Sequence, residues 1–132
     1  MFDIHICDFY HDLSRIFVQL HATFPREDTL WLDDICTEDE TDEYGMHSKR
    51  YMSCFGTVLF LEKEGFIRYS TQDGFNGFNH CVLTLKGFQN LNKFTEDGQT
   101  TAITDIRKAI RSGSSDTIEQ AVKPVLDIAT TK

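Results

Sequence analysis

The sequence has no stretch of about 18 consecutive apolar residues, so no part of it is expected to span a membrane. It also has no cysteine pair at CxxC spacing. Cys7, Cys36, Cys54 and Cys81 stand far apart, each beside apolar residues. They are expected to be reduced core thiols of a cytoplasmic protein. The opening MFDIHICDFYHD carries acids where a secretory leader needs basic residues, so secretion is not expected. The GxSxG, Walker-type and dinucleotide-binding glycine patterns are missing, and no nucleophile or base has orienting partners at a readable spacing. The expectation is a chain without catalytic activity and without a cofactor.

Basic residues are also in short supply. The formal net charge is −8 over 132 residues. Residues 26–43 hold nine acids (Glu27, Asp28, Asp33, Asp34, Glu38, Asp39, Glu40, Asp42, Glu43) against one base, Arg26. That segment accounts for the whole net charge, and the rest of the chain is neutral. Residues 38–43 lack the alternating ligands and the glycine of a calcium-binding loop, so a solvated acidic loop is expected there. His5, Cys7 and His11 carry zinc-ligand chemistry, but no second pair stands at finger spacing, and no metal is expected.

The chain does have apolar mass. It is 40% hydrophobic and 12% aromatic, with 11 phenylalanines, which suffices for the core of one domain. Leu13, Ile16, Phe17, Leu20 and Phe24 recur at helical spacing up to Pro25, and Phe2, Ile6 and Phe9 extend the stripe backwards. TLWLDDIC (29–36) suits a strand or one helical turn. Thr37 and Glu40 have capping-box spacing. Residues 47–64 read as a helix with Tyr51, Cys54, Val58 and Leu61 inward, stopped by Gly65. FIRYS and HCVLTL are strands by residue type, joined by the turn QDGFNG, with Cys81 in the core. Thr84 caps a helix through LKGFQNLNKF, with Phe88, Leu91 and Phe94 inward. TEDGQTT (95–101) reads as a linker. Ile103, Ile106 and Ile110 stripe one further helix; Ile118, Val122, Val125 and Ala129 stripe another, kinked at Pro124.

The order helix, extended piece, helix, Leu61–Glu62–Lys63–Glu64–Gly65–Phe66–Ile67, hairpin, Thr84–Leu85–Lys86–Gly87 resembles a bacterial winged-helix domain. The resemblance implies an α+β, mostly α fold. Residues 1–95 would form a winged helix with a two-stranded β-hairpin wing, and residues 96–132 a C-terminal helical extension. It also implies that residues 47–64 are a recognition helix. Its outward residues would be Ser53, Gly56, Thr57 and Phe60, with Lys49 and Arg50 near its start.

Winged-helix DNA readers present hydrogen-bonding side chains on that helix and Arg or Lys on the wing. Here only Ser53 and Thr57 suit base edges, and the wing tip offers Asp73, Phe75 and Phe78. The expected function is therefore a regulatory or adaptor module with a protein partner, touching it through Phe60, Phe75 and Phe78. The alternative is a dimeric DNA-binding regulator, in which Lys49, Arg50, Ser53, Thr57 and Arg68 touch nucleic acid and Arg107, Lys108 and Arg111 share their face. Short helices are marginal alone, so the stripes of residues 102–129 need cover. Intramolecular docking and a homodimer both supply it, and an outward Phe60 favours the dimer.

Overall fold

The computed structural model describes residues 4–36, 48–95 and 98–126, the side chains of residues 4 and 5 excepted. The fold is α+β, mostly helical, with one small antiparallel sheet. The elements run α1 (Ile4–Thr23), β1 (Asp28–Trp31), α2 (Leu32–Ile35), α3 (Lys49–Lys63), β2 (Ile67–Arg68), β3 (Thr71–Asp73), β4 (Gly77–Leu83), α4 (Leu85–Leu91), α5 (Ala102–Ser112) and α6 (Ser115–Leu126). Expectations for Phe2, the acidic cluster 38–43, the capping pair Thr37–Glu40 and Ala129 lie outside the described residues.

Helix α1 runs through the middle of the molecule. Its Leu13, Ile16, Phe17 and Leu20 are buried, and it packs on α3, α5, α6 and β4. Helix α3 starts at Ser48, whose hydroxyl accepts from the Tyr51 N–H at 3.1 Å. The stripe Tyr51, Cys54, Val58 and Leu61 faces inward. The end of α3 follows from Gly65, which takes φ +85. This left-handed step lets Gly65 N–H reach Glu62 O and Phe66 N–H reach Leu61 O, satisfying two terminal carbonyls.

Strand β4 is the centre of the sheet. It pairs with β1 on one side and with β2 and β3 on the other, all antiparallel. The segment FIRYS is broken: β2 ends at Arg68, and pairing resumes at Thr71 as β3. Against β1, Asp28 pairs with Cys81 and Leu30 with Phe78, so β4 carries one extra residue there. His80 absorbs it at φ +57, a left-handed conformation that is uncommon for a side-chain-bearing residue. This bulge reverses the inward–outward parity of β4, and Phe78, Cys81 and Leu83 all face the core.

Thr84 joins the hairpin to α4. Its hydroxyl accepts from the Gly87 N–H at 3.1 Å and donates to Gly65 O at 2.6 Å. One side chain thus caps α4 and fastens the end of α3. Gly87 lies so close to the chain that an added Cβ would stand 2.3 Å from Phe66 O. Helix α4 ends at Leu91, earlier than expected. Phe94 consequently stays outside the core and is exposed. Phe88 instead stacks on Phe24 at 4.1 Å.

The segment expected as a linker is tied by backbone hydrogen bonds. Thr95 N–H donates to Thr100 O and Ala102 N–H to Lys93 O, with a bridge between Phe94 and Thr101. Helices α5 and α6 follow, and α6 runs through Pro124 to Leu126. Ile103, Ile106, Ile118, Val122 and Val125 are buried within the chain, against α1 and each other. Asn90 of α4 donates to Val125 O at 3.2 Å and closes the end of α6. The cover these stripes require is therefore supplied internally, and a homodimer through residues 102–129 is not needed to bury them. No helix among the described residues is long and apolar enough to cross a membrane.

Candidate functional site

The outer side of α3 and the neighbouring hairpin tip expose apolar rings. Phe60 is 42% exposed and meets Phe9 of α1 edge-on, with ring centroids 5.5 Å apart. Between these rings and Ser53 lies an open depression of about 280 Å³, lined also by Gly56 and Thr57. Gly56 sits in mid-helix, where glycine costs roughly 1 kcal/mol relative to alanine. A Cβ built there meets no atom within 4 Å. Internal packing does not demand this glycine; its effect is to leave the floor of the depression bare. Sequence spacing placed Gly56 on the outward face, but the neighbouring wall, Phe9, comes from another helix.

At the hairpin tip, Phe75 is 50% exposed and rests edge-on against Phe55 at 5.1 Å. Its backbone oxygen accepts from the Tyr51 hydroxyl at 2.9 Å, which fastens the tip to α3. Phe78 does not share this exposure. It is fully buried, 5.2 Å from Phe55 and 4.8 Å from Tyr69, and is a core residue instead of a contact residue. Met52 adds a further exposed apolar side chain on α3.

The residues expected at nucleic acid are dispersed. Lys49 and Ser53 are exposed on α3. Thr57 is buried, and its hydroxyl donates to Ser53 O at 3.0 Å, so it turns back onto its own helix. Arg50 reaches α1, where its two terminal nitrogens hold Asp12 at 2.7 and 2.6 Å and its Nε lies 3.4 Å from Asp8. The Asp12 hydrogen bond is the main cause holding the Arg50 guanidinium protonated even more firmly than usual, against the cost of burial. Arg68 pairs with Glu27 at 2.9 Å, and Glu27 also lies 3.6 Å from His80. Arg107 contacts His21 at 3.4 Å, while Lys108 and Arg111 are exposed on α5. Arg50 and Arg107 meet α1 nine residues apart, about 14 Å along its axis.

Asp12 is the residue that pattern reading passed over. It is fully inside, where an unpaired carboxylate is costly, and α3 supplies its partner. Its only sequence signal is an acid one step from the apolar Leu13–Ile16–Phe17 stripe. Among the described residues, no group of three or more His, Cys, Asp or Glu side chains is arranged to hold a metal ion. No protein-family model, curated protein or solved structure matches this chain.

Proposed function

We propose that the chain is a non-catalytic binding module of winged-helix type, a regulatory or adaptor protein that works through protein–protein contacts on the outer face of α3 and at the hairpin tip. The element order α1–β1–α2–α3–hairpin and the pairing of β1 with β4 support the winged-helix reading. The observation that carries the contact surface is the depression beside Phe60, where two phenylalanine rings flank a helical glycine whose missing Cβ serves nothing inside the fold. A bare helix floor between aromatic walls suits close approach by a partner's side chain, and exposed aromatic rings are common anchors of such contacts.

A DNA contact draws less support. Arg50, Arg68 and Arg107 are each engaged with a side chain of the fold, and the wing tip brings Asp73 and Phe75 in place of cations. Affinity capture with the intact chain as bait tests the proposal. The Phe60→Ala/Phe75→Ala double variant is the control, since both rings are exposed and their loss should leave folding intact. A defined protein partner retained by the wild type and lost by the variant is expected. Nanomolar, sequence-selective binding to DNA at physiological salt, unaffected by the double variant, would overturn it.

A further inference from the structure

The four thiols divide into two classes. Cys54 and Cys81 are fully buried, and burial pushes the Cys81 thiol up to about 12 and that of Cys54 higher still. Both are shielded and protonated at neutral pH, which makes them inert. Cys7 is only half-buried, against the expectation of a core thiol, whereas Cys36, at the C-terminal cap of α2, is buried in the core as expected. Cys7 and Cys36 nevertheless line one cavity of about 270 Å³ with Asp8, His11, Arg15 and Arg50.

We propose that Cys7 and Cys36 form a redox-responsive dithiol, which a peroxide entering this cavity converts to a disulfide fastening α1 to the end of α2. The cavity holds several times the volume of a water molecule and admits hydrogen peroxide, which is little larger. Among the described residues, its lining holds two cations, Arg15 and Arg50, and one acid, Asp8. Arg15 and Arg50 in the lining offset Asp8 beside them and Asp12 beneath, and Arg50 lies within electrostatic reach of Cys36. His11 follows Cys7 by one helical turn and lines the same cavity. Helices α1 and α2 are already in contact, and a disulfide asks that the two Cα atoms come within about 7 Å.

The chemistry balances with the peroxide as sole oxidant. The Cys7 thiolate, the more accessible of the two, attacks one peroxide oxygen. An S–O bond forms, the O–O bond breaks, and the departing hydroxide takes a proton to leave as water. The Cys36 thiolate then attacks the sulfenic sulfur. The S–S bond forms, the S–O bond breaks, and the second oxygen leaves as water with the remaining proton. Two thiols lose two electrons in total, and one hydrogen peroxide becomes two waters.

The test uses the intact chain. In the native reduced protein, iodoacetamide should modify Cys7 at least about tenfold faster than Cys54 or Cys81. After graded hydrogen peroxide, capping of remaining thiols and peptide mapping by mass spectrometry, the expected product is a single intramolecular Cys7–Cys36 link. Cys54 and Cys81 should remain thiols until the protein is unfolded. Cys7→Ser and Cys36→Ser should each abolish the link, and circular dichroism should confirm that each variant is folded. Equal labelling rates for all four thiols, oxidation of Cys7 that stops at sulfinic acid with Cys36 still free, or links that scramble to Cys54 would each overturn the proposal.

Discussion

Arg50 grips Asp12 like a two-pronged fork: Nη1 donates to Oδ2 at 2.7 Å and Nη2 to Oδ1 at 2.6 Å. Asp12 has no solvent exposure, while Arg50 lines the cavity beside Cys7, so the pair joins α3 to α1 with its carboxylate sealed from water. Removing Arg50 takes from the buried carboxylate its principal partner and leaves only the longer His11 contact at 3.4 Å. Arg50→Ala is expected to destabilise the fold by about 3 kcal/mol, and Arg50→Lys by about half as much, because an ammonium cannot fill both prongs. Urea unfolding followed by circular dichroism measures both. An unchanged midpoint for Arg50→Ala would mean that the clamp contributes nothing.

Two glycines should respond in opposite directions to alanine. Gly87→Ala sets a Cβ against Phe66 O at 2.3 Å, a backbone atom that cannot move aside cheaply, so a loss of several kcal/mol is expected. Gly56→Ala meets nothing within 4 Å and should raise stability by roughly 0.5–1 kcal/mol through helix propensity alone. If the depression beside Phe60 is a contact surface, the same Gly56→Ala change should weaken partner capture while the melting temperature rises. A melting temperature that rises with capture unaltered would separate the glycine from binding.

The Thr84 hydroxyl performs two tasks, accepting from Gly87 N–H and donating to Gly65 O. Thr84→Val keeps the shape and removes both hydrogen bonds. A loss of about 1–2 kcal/mol is expected, the usual worth of a helix cap together with one further bond. Thr84→Ser should recover most of it, and thermal melts of the two variants make the comparison.

The buried faces of α5 and α6 predict the outcome of truncation. Ile106 and Val122 are fully buried within the chain. Each fully buried aliphatic side chain is worth roughly 1.5–3 kcal/mol, so removing the C-terminal helices uncovers α1 at a cost near the total stability of a small domain. A chain ending at Thr95 is expected to be unfolded or aggregated. The full chain is expected to sediment as a monomer at micromolar concentration. A full-length dimer that dissociates when Ile106 is changed to Ala would reverse the assignment of these faces.

Alkaline pH should unfold the protein through its sealed thiols. The folded fold holds Cys81 neutral up to about 12 because burial disfavours the thiolate, whereas an unfolded cysteine ionises near pH 8.5. The stabilisation is complete below the unfolded value and is lost as pH rises towards the folded one. Stability measured by denaturant titration should therefore decline from about pH 8.5 upward. Cys81→Ala should flatten that decline, although the alanine protein is less stable at neutral pH because of the cavity.

Helix periodicity in this sequence is strong enough to locate α1, α3, α5 and α6, because apolar side chains three and four residues apart must share a face. Gly65 marks the end of α3 and Thr84 the start of α4, since a left-handed φ and a hydroxyl cap are local requirements that neighbouring residues reveal. Strand parity is different. Alternation that carries Cys81 inward carries Phe78 outward, and only the bulge at His80 brings both to the core. That extra residue is set by the pairing with β1, some 50 positions away in sequence, and leaves no mark in HCVLTL itself. Thr57 likewise reads as outward on α3 alone, yet it is buried in the folded chain and its hydroxyl turns back to Ser53 O.

The same holds for charge. Arg50 looks like a cation at the start of a reading helix, and composition shows nothing to hold it back. Its partner is an acid 38 positions earlier, on a helix whose path across α3 is settled by packing. Local sequence thus determined that α1, α3, α5 and α6 are helical and that α3 stops at Gly65, but not that α4 ends at Leu91, short of Phe94. The tertiary arrangement decided which side chains remain available to a partner, because exposure depends on what lies across from a residue and not on what lies beside it.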